Sequence, residues 1–309
     1  MKIVGVRTFG GPEALEILEA PEPHAGPGEV RIRVRAAAVS PTDTMLRSGA
    51  QDMGGQEPPY IPGMDAAGII DEVGDGAAWQ VGDEVMALAL PRSGHRGAYA
   101  EYLVAPADSI ACIPGGIGLE AASTLPMNGL TAVQTLEKLA LTDGQVLAVT
   151  GAAGMLGNYL IQLAKEAGLT VVADAAEKDA ELVSALGADH VVKRGEDVAD
   201  RILELFPEGV DALADAAVLD GQAARAVRDG GGFATFRGWN GDPGRGVQVH
   251  PIWVREEYHS GKKLDRLRAL AEADLLSPRI ADVLPAERAP EAHRRLEAGG
   301  LRGRIVLTF

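Results

Sequence analysis

The residues best suited to chemistry lie in one short stretch. The apolar run Val146-Leu147-Ala148-Val149-Thr150 passes directly into Gly151-Ala152-Ala153-Gly154-Met155-Leu156-Gly157 and then into a helical pattern over 158–167. Glycines at such a turn let the backbone approach a pyrophosphate, and the last one permits close helix–strand packing. The helix N-terminus adds unpaired N–H groups and a partial positive charge. A bare Gly-x-x-Gly-x-x-Gly is weak evidence, since a merely structural βα turn is the alternative reading. With a strand before it, a helix after it and a second strand over 170–173, it predicts a dinucleotide site. Asp174 ends that second strand, where an acid bonds the adenosine ribose hydroxyls of NAD(H) and repels the 2′-phosphate of NADP(H). Lys178 either receives such a phosphate or starts a solvated helix, so NADP(H) or NAD(H) is the expected cofactor.

The elements needed to hold these residues follow from the pattern around them. Beyond residue 120, strands over 146–150, 170–173, 190–192, 210–215, 232–236 and 247–254 alternate with helices over 158–167, 178–186 and 198–205. Such alternation predicts an α/β fold, a Rossmann doubly wound parallel sheet with helices on both faces. Before it the chain is β-rich. Val30-Arg31-Ile32-Arg33-Val34-Arg35 alternates as a half-exposed strand should, and further strands are expected over 67–74, 83–88 and 98–104. Helices over 119–125 and 129–139 lead into the second region. The tail, 262–309, carries two amphipathic helices and a strand over 303–308 that returns to the β-rich part. The expected domains are therefore 1–121 with 259–309, and 122–258.

Bulk properties exclude several functions. A formal net charge of −15 disfavours nucleic acid, which needs basic stripes. With Cys112 as the single cysteine there is no intrachain disulfide and no cysteine-rich metal site. The first residues lack a signal-peptide core, and polar residues and glycines interrupt the apolar stretch 146–164. A cytoplasmic protein with no membrane partner is expected. The apolar edge 247–254 invites pairing with its twin, hence a homodimer.

Over nearly its whole length the chain resembles the medium-chain dehydrogenase/reductase superfamily. Ala37-Ala38-Val39-Ser40-Pro41-Thr42-Asp43 is similar to its active-site loop, and Pro62-Gly63-Met64-Asp65-Ala66-Ala67-Gly68 to its glycine-rich signature. Val73-Gly74, Gly82-Asp83-Glu84-Val85, Gly129-Leu130-Thr131-Ala132 and the 151–157 loop follow in the expected order. The resemblance implies a GroES-like catalytic domain, a Rossmann domain and a cleft between them. Zinc-dependent members carry Cys where this chain has Ser40, His-Glu where it has Met64-Asp65, and a third ligand near 126–128, where no Cys stands. Ser40 and Met64 cannot replace thiolate and imidazole. The likeness therefore narrows to the zinc-free quinone oxidoreductase and enoyl reductase branch, which the segment 292–307 also resembles.

What this implies is hydride transfer from a nicotinamide to a small-molecule substrate, a quinone or an α,β-unsaturated carbonyl. The protein orients the acceptor and bonds its developing oxyanion. Candidate catalytic donors are Ser40, Thr42 and Tyr60; for Ser40 the competing role is a turn residue, and for Tyr60 packing. Thr131 opens a helix toward the cofactor, and Arg237, Gly238 and Trp239 are expected beside the nicotinamide, with Trp239 stacking on substrate or covering the core. Asp43 anchors its loop. His190, His250 and His293 are expected to be structural, and His95 alone to lie near the site. Two rival readings exist. Tyr258-x-x-x-Lys262 has the spacing of a short-chain dehydrogenase pair, but Gly261 disfavours a helix there. A non-catalytic nicotinamide-binding protein would keep the same phosphate loop.

Overall fold

A computed structural model describes residues 1–309. The chain divides into two compact units, 1–127 with 255–273 and 278–309, and 128–254 with 274–277.

In the first unit the strand Glu29–Ala38 is the organiser. It pairs antiparallel with Asp65–Val73, Tyr102–Pro106 and Arg304–Thr308. The seven-stranded sheet continues through Glu84–Leu88 to Ile110–Cys112 on one side and to Ile280–Pro285 on the other. Val30, Ile32 and Val34 point into a core shared with Ile70, Tyr99, Leu103 and Ile305. Between them Arg31 faces outward and forks onto Asp71 at 2.9 and 3.1 Å. The basic–apolar alternation thus does what a half-exposed strand requires. Four strands escape the periodicity: Lys2–Val6 and Leu15–Glu19, which form a ribbon of their own, Ile110–Cys112 and Ile280–Pro285. The stretch expected as a strand over 98–104 pairs regularly only from Tyr102. Ala98 and Tyr99 instead donate to the carbonyls of Gly63 and Pro62.

The second unit is a six-stranded parallel sheet. Its spatial order is His190–Lys193, Thr170–Ala175, Val146–Thr150, Val210–Asp215, Val227–Thr235, Gln248–Pro251. The strand order reverses beside Val146–Thr150, which is where doubly wound sheets bind ligands. Ala148, Val172, Leu213 and Phe233 pack with Ile202 in its core. Two differences from the pattern involve glycine. The helix is Met155–Glu166, three residues earlier than expected. Gly157 is inside it because a Cβ there would lie 2.5 Å from Ala152 Cα, so packing overrides propensity. The strand Val227–Thr235 starts five residues earlier than 232, because Gly230, Gly231 and Gly232 hide it from a side-chain pattern. The last strand is only Gln248–Pro251, and Val254–Glu257 is a 3-10 turn rather than its continuation.

Candidate functional site

The parallel sheet brings the ends of its strands together at one edge. Gly151, φ +66°, turns the chain out of Val146–Thr150; a Cβ on it would sit 2.9 Å from the Ala216 backbone. Gly154 caps the helix Met155–Glu166 in an extended conformation and is exposed. Ala152 and Met155 are buried, whereas Ala153 and Leu156 are half-exposed. The first turn of a helix has N–H groups without intrahelical acceptors, so this edge is suited to an anion. Thr150 Oγ1 donates to Asp215 Oδ1 at 2.6 Å, tying the ends of the first and fourth strands of the unit. Thr235 Oγ1, buried at the end of Val227–Thr235, has no hydrogen-bond partner. A strained glycine turn, an open cap and an orphaned buried hydroxyl at one sheet edge fit a dinucleotide.

Asp174 is 6% exposed, and its Oδ1 accepts the Ala152 N–H at 3.0 Å. The carboxylate therefore pins the 151–157 loop. Burial raises its pKa, opposed by the N–H groups of Ala152 and Gly151 and by the charge of Arg194. Arg194 follows the strand His190–Lys193, and its N–H bonds Ala175 O at 2.9 Å. Sequence reasoning missed it, because only strand pairing brings it beside Asp174. Lys178 is exposed in the turn Glu177–Asp179. Thr131 does not open its helix: Pro126 starts it, and Thr131 is buried in its second turn, where its carbonyl accepts the Thr135 hydroxyl at 2.7 Å. Arg237 and Gly238 are exposed. Trp239 packs edge-on against Phe233, centroids 5.5 Å apart, so its ring covers the core.

In the first unit the strand Glu29–Ala38 hands over to the helix Pro41–Ser48 through Val39 and Ser40. Proline stands at the helix start, where its missing N–H costs nothing. Ser40 is fully buried and shares a 2.5 Å hydrogen bond with the Thr42 hydroxyl, which is half-exposed. Asp43 holds this loop: Oδ2 accepts from Ser40 N (2.7 Å) and the Tyr99 hydroxyl (3.2 Å), and Oδ1 accepts from Gly63 N (2.9 Å). Its expected anchoring role thus has a geometry. Tyr60 stacks on Phe9 at 4.8 Å and bonds Val6 through its backbone. The Met64 side chain is buried. Asp65 is fully buried, accepts Met127 N at 2.6 Å and pairs with Arg304 at 3.3 Å. Burial lifts the Asp65 pKa to about 7 despite Arg304.

Two histidines are held in hydrogen-bonded packing. His293 is fully buried between Tyr99 and Arg47. His95 sits between Glu29 (2.6 Å) and the Tyr258 hydroxyl (3.2 Å), at the opposite end of the strand Glu29–Ala38 from Ser40, so it does not join the Ser40 loop. Tyr258 and Lys262 do not share a helix. The helix Gly261–Glu272 begins after Tyr258, with Gly261 as its first residue. The glycine argument fails in its detail, since Gly261 is helical and its bare Cα is pressed on the Asp108 carbonyl.

A GroES-like β-unit and a Rossmann-type parallel-sheet unit in one chain define the architecture of an alcohol dehydrogenase-like protein. Residues 26–115 match the family model of the alcohol dehydrogenase GroES-like domain, and residues 186–307 that of zinc-binding dehydrogenase. A solved structure of an NAD-dependent alcohol dehydrogenase superposes with a TM-score of 0.87, at 30% identity over 100% of both chains. The quinone oxidoreductase of Sus scrofa is 28% identical over 99% of this chain and 97% of its own. The chloroplastic NADPH-dependent alkenal/one oxidoreductase of Arabidopsis thaliana is 28% identical over 97% of this chain and 77% of its own. The chain belongs to the medium-chain dehydrogenase/reductase superfamily, with quinone oxidoreductase-like relatives.

Proposed function

We propose that the protein is a zinc-independent NAD(P)H reductase of quinones or α,β-unsaturated carbonyls. The observation that carries this is the phosphate loop at the reversal point of the parallel sheet, with Gly151 turning the chain and Gly154 capping an open helix N-terminus. The relatives named for quinone and alkenal/one reduction support the substrate class. When bound, the reduced nicotinamide supplies a hydride to an electron-poor carbon.

The protein's own residues have separable tasks. Backbone N–H groups of Met155 and Leu156, in the first turn of the helix, hold the pyrophosphate, while Asp174 takes the Ala152 N–H and keeps the loop in register. Thr131 and residues 237–239 border the cofactor. Because Ser40 is buried and bonded to Thr42, Thr42 is the outward hydroxyl of the pair and the donor to a developing oxyanion. Ser40 orients it, and Tyr60 lines the acceptor. The donor set disfavours zinc: Ser40 is bonded to Thr42, Met64 offers a thioether, and Asp65 is taken by Met127 N–H and Arg304. Elemental analysis is expected to find well under one zinc per chain, and a chelator to leave the rate unchanged. Stoichiometric zinc whose removal abolishes activity would overturn this.

The edge strand Gln248–Pro251 is the seam proposed for a homodimer. No helix is long and apolar enough to cross a membrane, and the protein is proposed to work in the cytoplasm on a small molecule, without nucleic acid.

Oxidation of NADH and NADPH with a quinone and enone panel tests the function. Turnover supports it; nucleotide binding without any turnover favours a non-catalytic binding protein. The Asp174→Ser variant is expected to shift the NADPH/NADH ratio of kcat/KM upward by about tenfold, one charge–charge contact's worth. An unchanged ratio would leave Asp174 as a loop anchor only.

A further inference from the structure

Four buried polar side chains run in one line behind the Ser40 loop. Arg47 is 4% exposed and grips the exposed Glu297 at 2.6 Å. Its NH1 stands 3.5 Å from His293 Nδ1. The other ring nitrogen, Nε2, is 3.2 Å from the Tyr99 hydroxyl, which is 3.2 Å from Asp43 Oδ2. Asp43 in turn accepts the N–H groups of Ser40 and Gly63.

The direction of this line is determined. Guanidinium only donates, so Nδ1 facing it is bare. His293 is neutral, its pKa lowered to about 3 by burial and by Arg47. A neutral ring with Nδ1 bare carries its proton on Nε2 and donates it to the Tyr99 oxygen. Tyr99 then donates to Asp43, which has three donors and accepts from all of them. Reversing either of the first two links would set two donors face to face, and the third runs toward Asp43 because its oxygens already accept the Ser40 and Gly63 N–H groups. Tyr99 is further wedged by Gly63, where a Cβ would stand 2.7 Å from the ring.

We propose that His293 and Tyr99 are positioning residues: the line Arg47→His293→Tyr99→Asp43 holds the Ser40–Thr42 hydroxyl pair in the orientation that hydride transfer needs. This rests on the reading that Thr42 serves the reaction. Arg304 fixes the strand end through the Val39 carbonyl at 2.7 Å, and Asp43 is the side chain that bonds the Ser40 and Gly63 N–H groups of the loop itself. Plain packing would need only the volume of the ring.

The experiment compares His293→Gln, His293→Leu and Tyr99→Phe in the full chain. Gln supplies an acceptor and a donor and keeps the direction of the line; Leu keeps bulk alone. His293→Gln is expected to retain kcat within about threefold. His293→Leu and Tyr99→Phe should each lose about 30-fold in kcat, with the nucleotide KM unchanged, and the double variant should lose no more than either. Exchange of the Ser40 and Gly63 amide protons should quicken in the same two variants, and nitrogen NMR of the native protein should show the Nε2–H tautomer. This amide readout needs no turnover, so it stands apart from the assay of the reductase itself. Equal kcat for Leu and Gln, unchanged amide exchange, or an Nδ1–H tautomer would each overturn the proposal.

Discussion

A carboxylate at position 154 is expected to abolish dinucleotide binding without unfolding the protein. Gly154 has φ −75° and ψ 173°, an extended conformation open to any residue. An added Cβ meets only Gly151 O, at 3.1 Å, so the backbone gives by tenths of an ångström. Aspartate is also a favoured N-cap, and thermal stability should hold or rise. The same carboxylate, however, stands where the pyrophosphate is proposed to bind, and two negative charges a few ångströms apart repel with an energy on the order of several kcal/mol in a partly desolvated site. The dissociation constants of NADH and NADPH should rise at least about 100-fold in Gly154→Asp, roughly 2.7 kcal/mol. Gly154→Ser caps the helix without charge and should bind within about threefold of the native protein. Titration by quenching of protein fluorescence measures both. Undiminished binding by the aspartate variant would remove the loop from the cofactor site.

The second large effect is acid lability from His293. Its ring is neutral in the fold with a pKa of about 3, against 6.5 for the free side chain. Below pH 6.5 the unfolded chain takes up a proton that the folded one refuses. The contribution to stability is therefore present above pH 6.5 and is lost as pH falls toward 3, at about 1.4 kcal/mol per pH unit. By pH 4 the loss is on the order of 3 kcal/mol, a large share of a typical net stability. Asp65 acts in the opposite sense: held protonated to about pH 7, it stabilises the fold below pH 4 and loses that contribution as pH rises toward 7. Urea unfolding of native and His293→Gln proteins at a series of pH values separates the two. The stability difference should grow in the variant's favour as pH falls from 6.5. A difference that stays constant with pH would mean that His293 titrates normally or is charged in the fold.

Much of the architecture was legible because its signals are local. The strand Val146–Thr150, its glycine loop and the following helix are contiguous, and so is the alternation of Glu29–Ala38. The failures share a cause. Gly230, Gly231 and Gly232 contribute no side-chain pattern, so the start of Val227–Thr235 was hidden. In Ile280–Pro285 most side chains are exposed or half-exposed, so no periodicity announces the strand. Gly157 and Gly261 stand in helices because a neighbouring backbone lies where their Cβ would be, which no propensity encodes.

The sequence by itself determined the family, the strand–glycine loop–helix segment and the absence of a thiolate–imidazole donor set, since each depends on residue types at short, fixed spacing. Tertiary structure decided which polar groups are occupied. Asp174 turns onto Ala152, Ser40 onto Thr42, Trp239 onto Phe233, and His293 lies against a tyrosine 194 residues away in the chain. Hydrogen bonds in a buried interior are assigned by proximity across strands and helices, and a side chain's chemistry there depends on the partner the fold supplies.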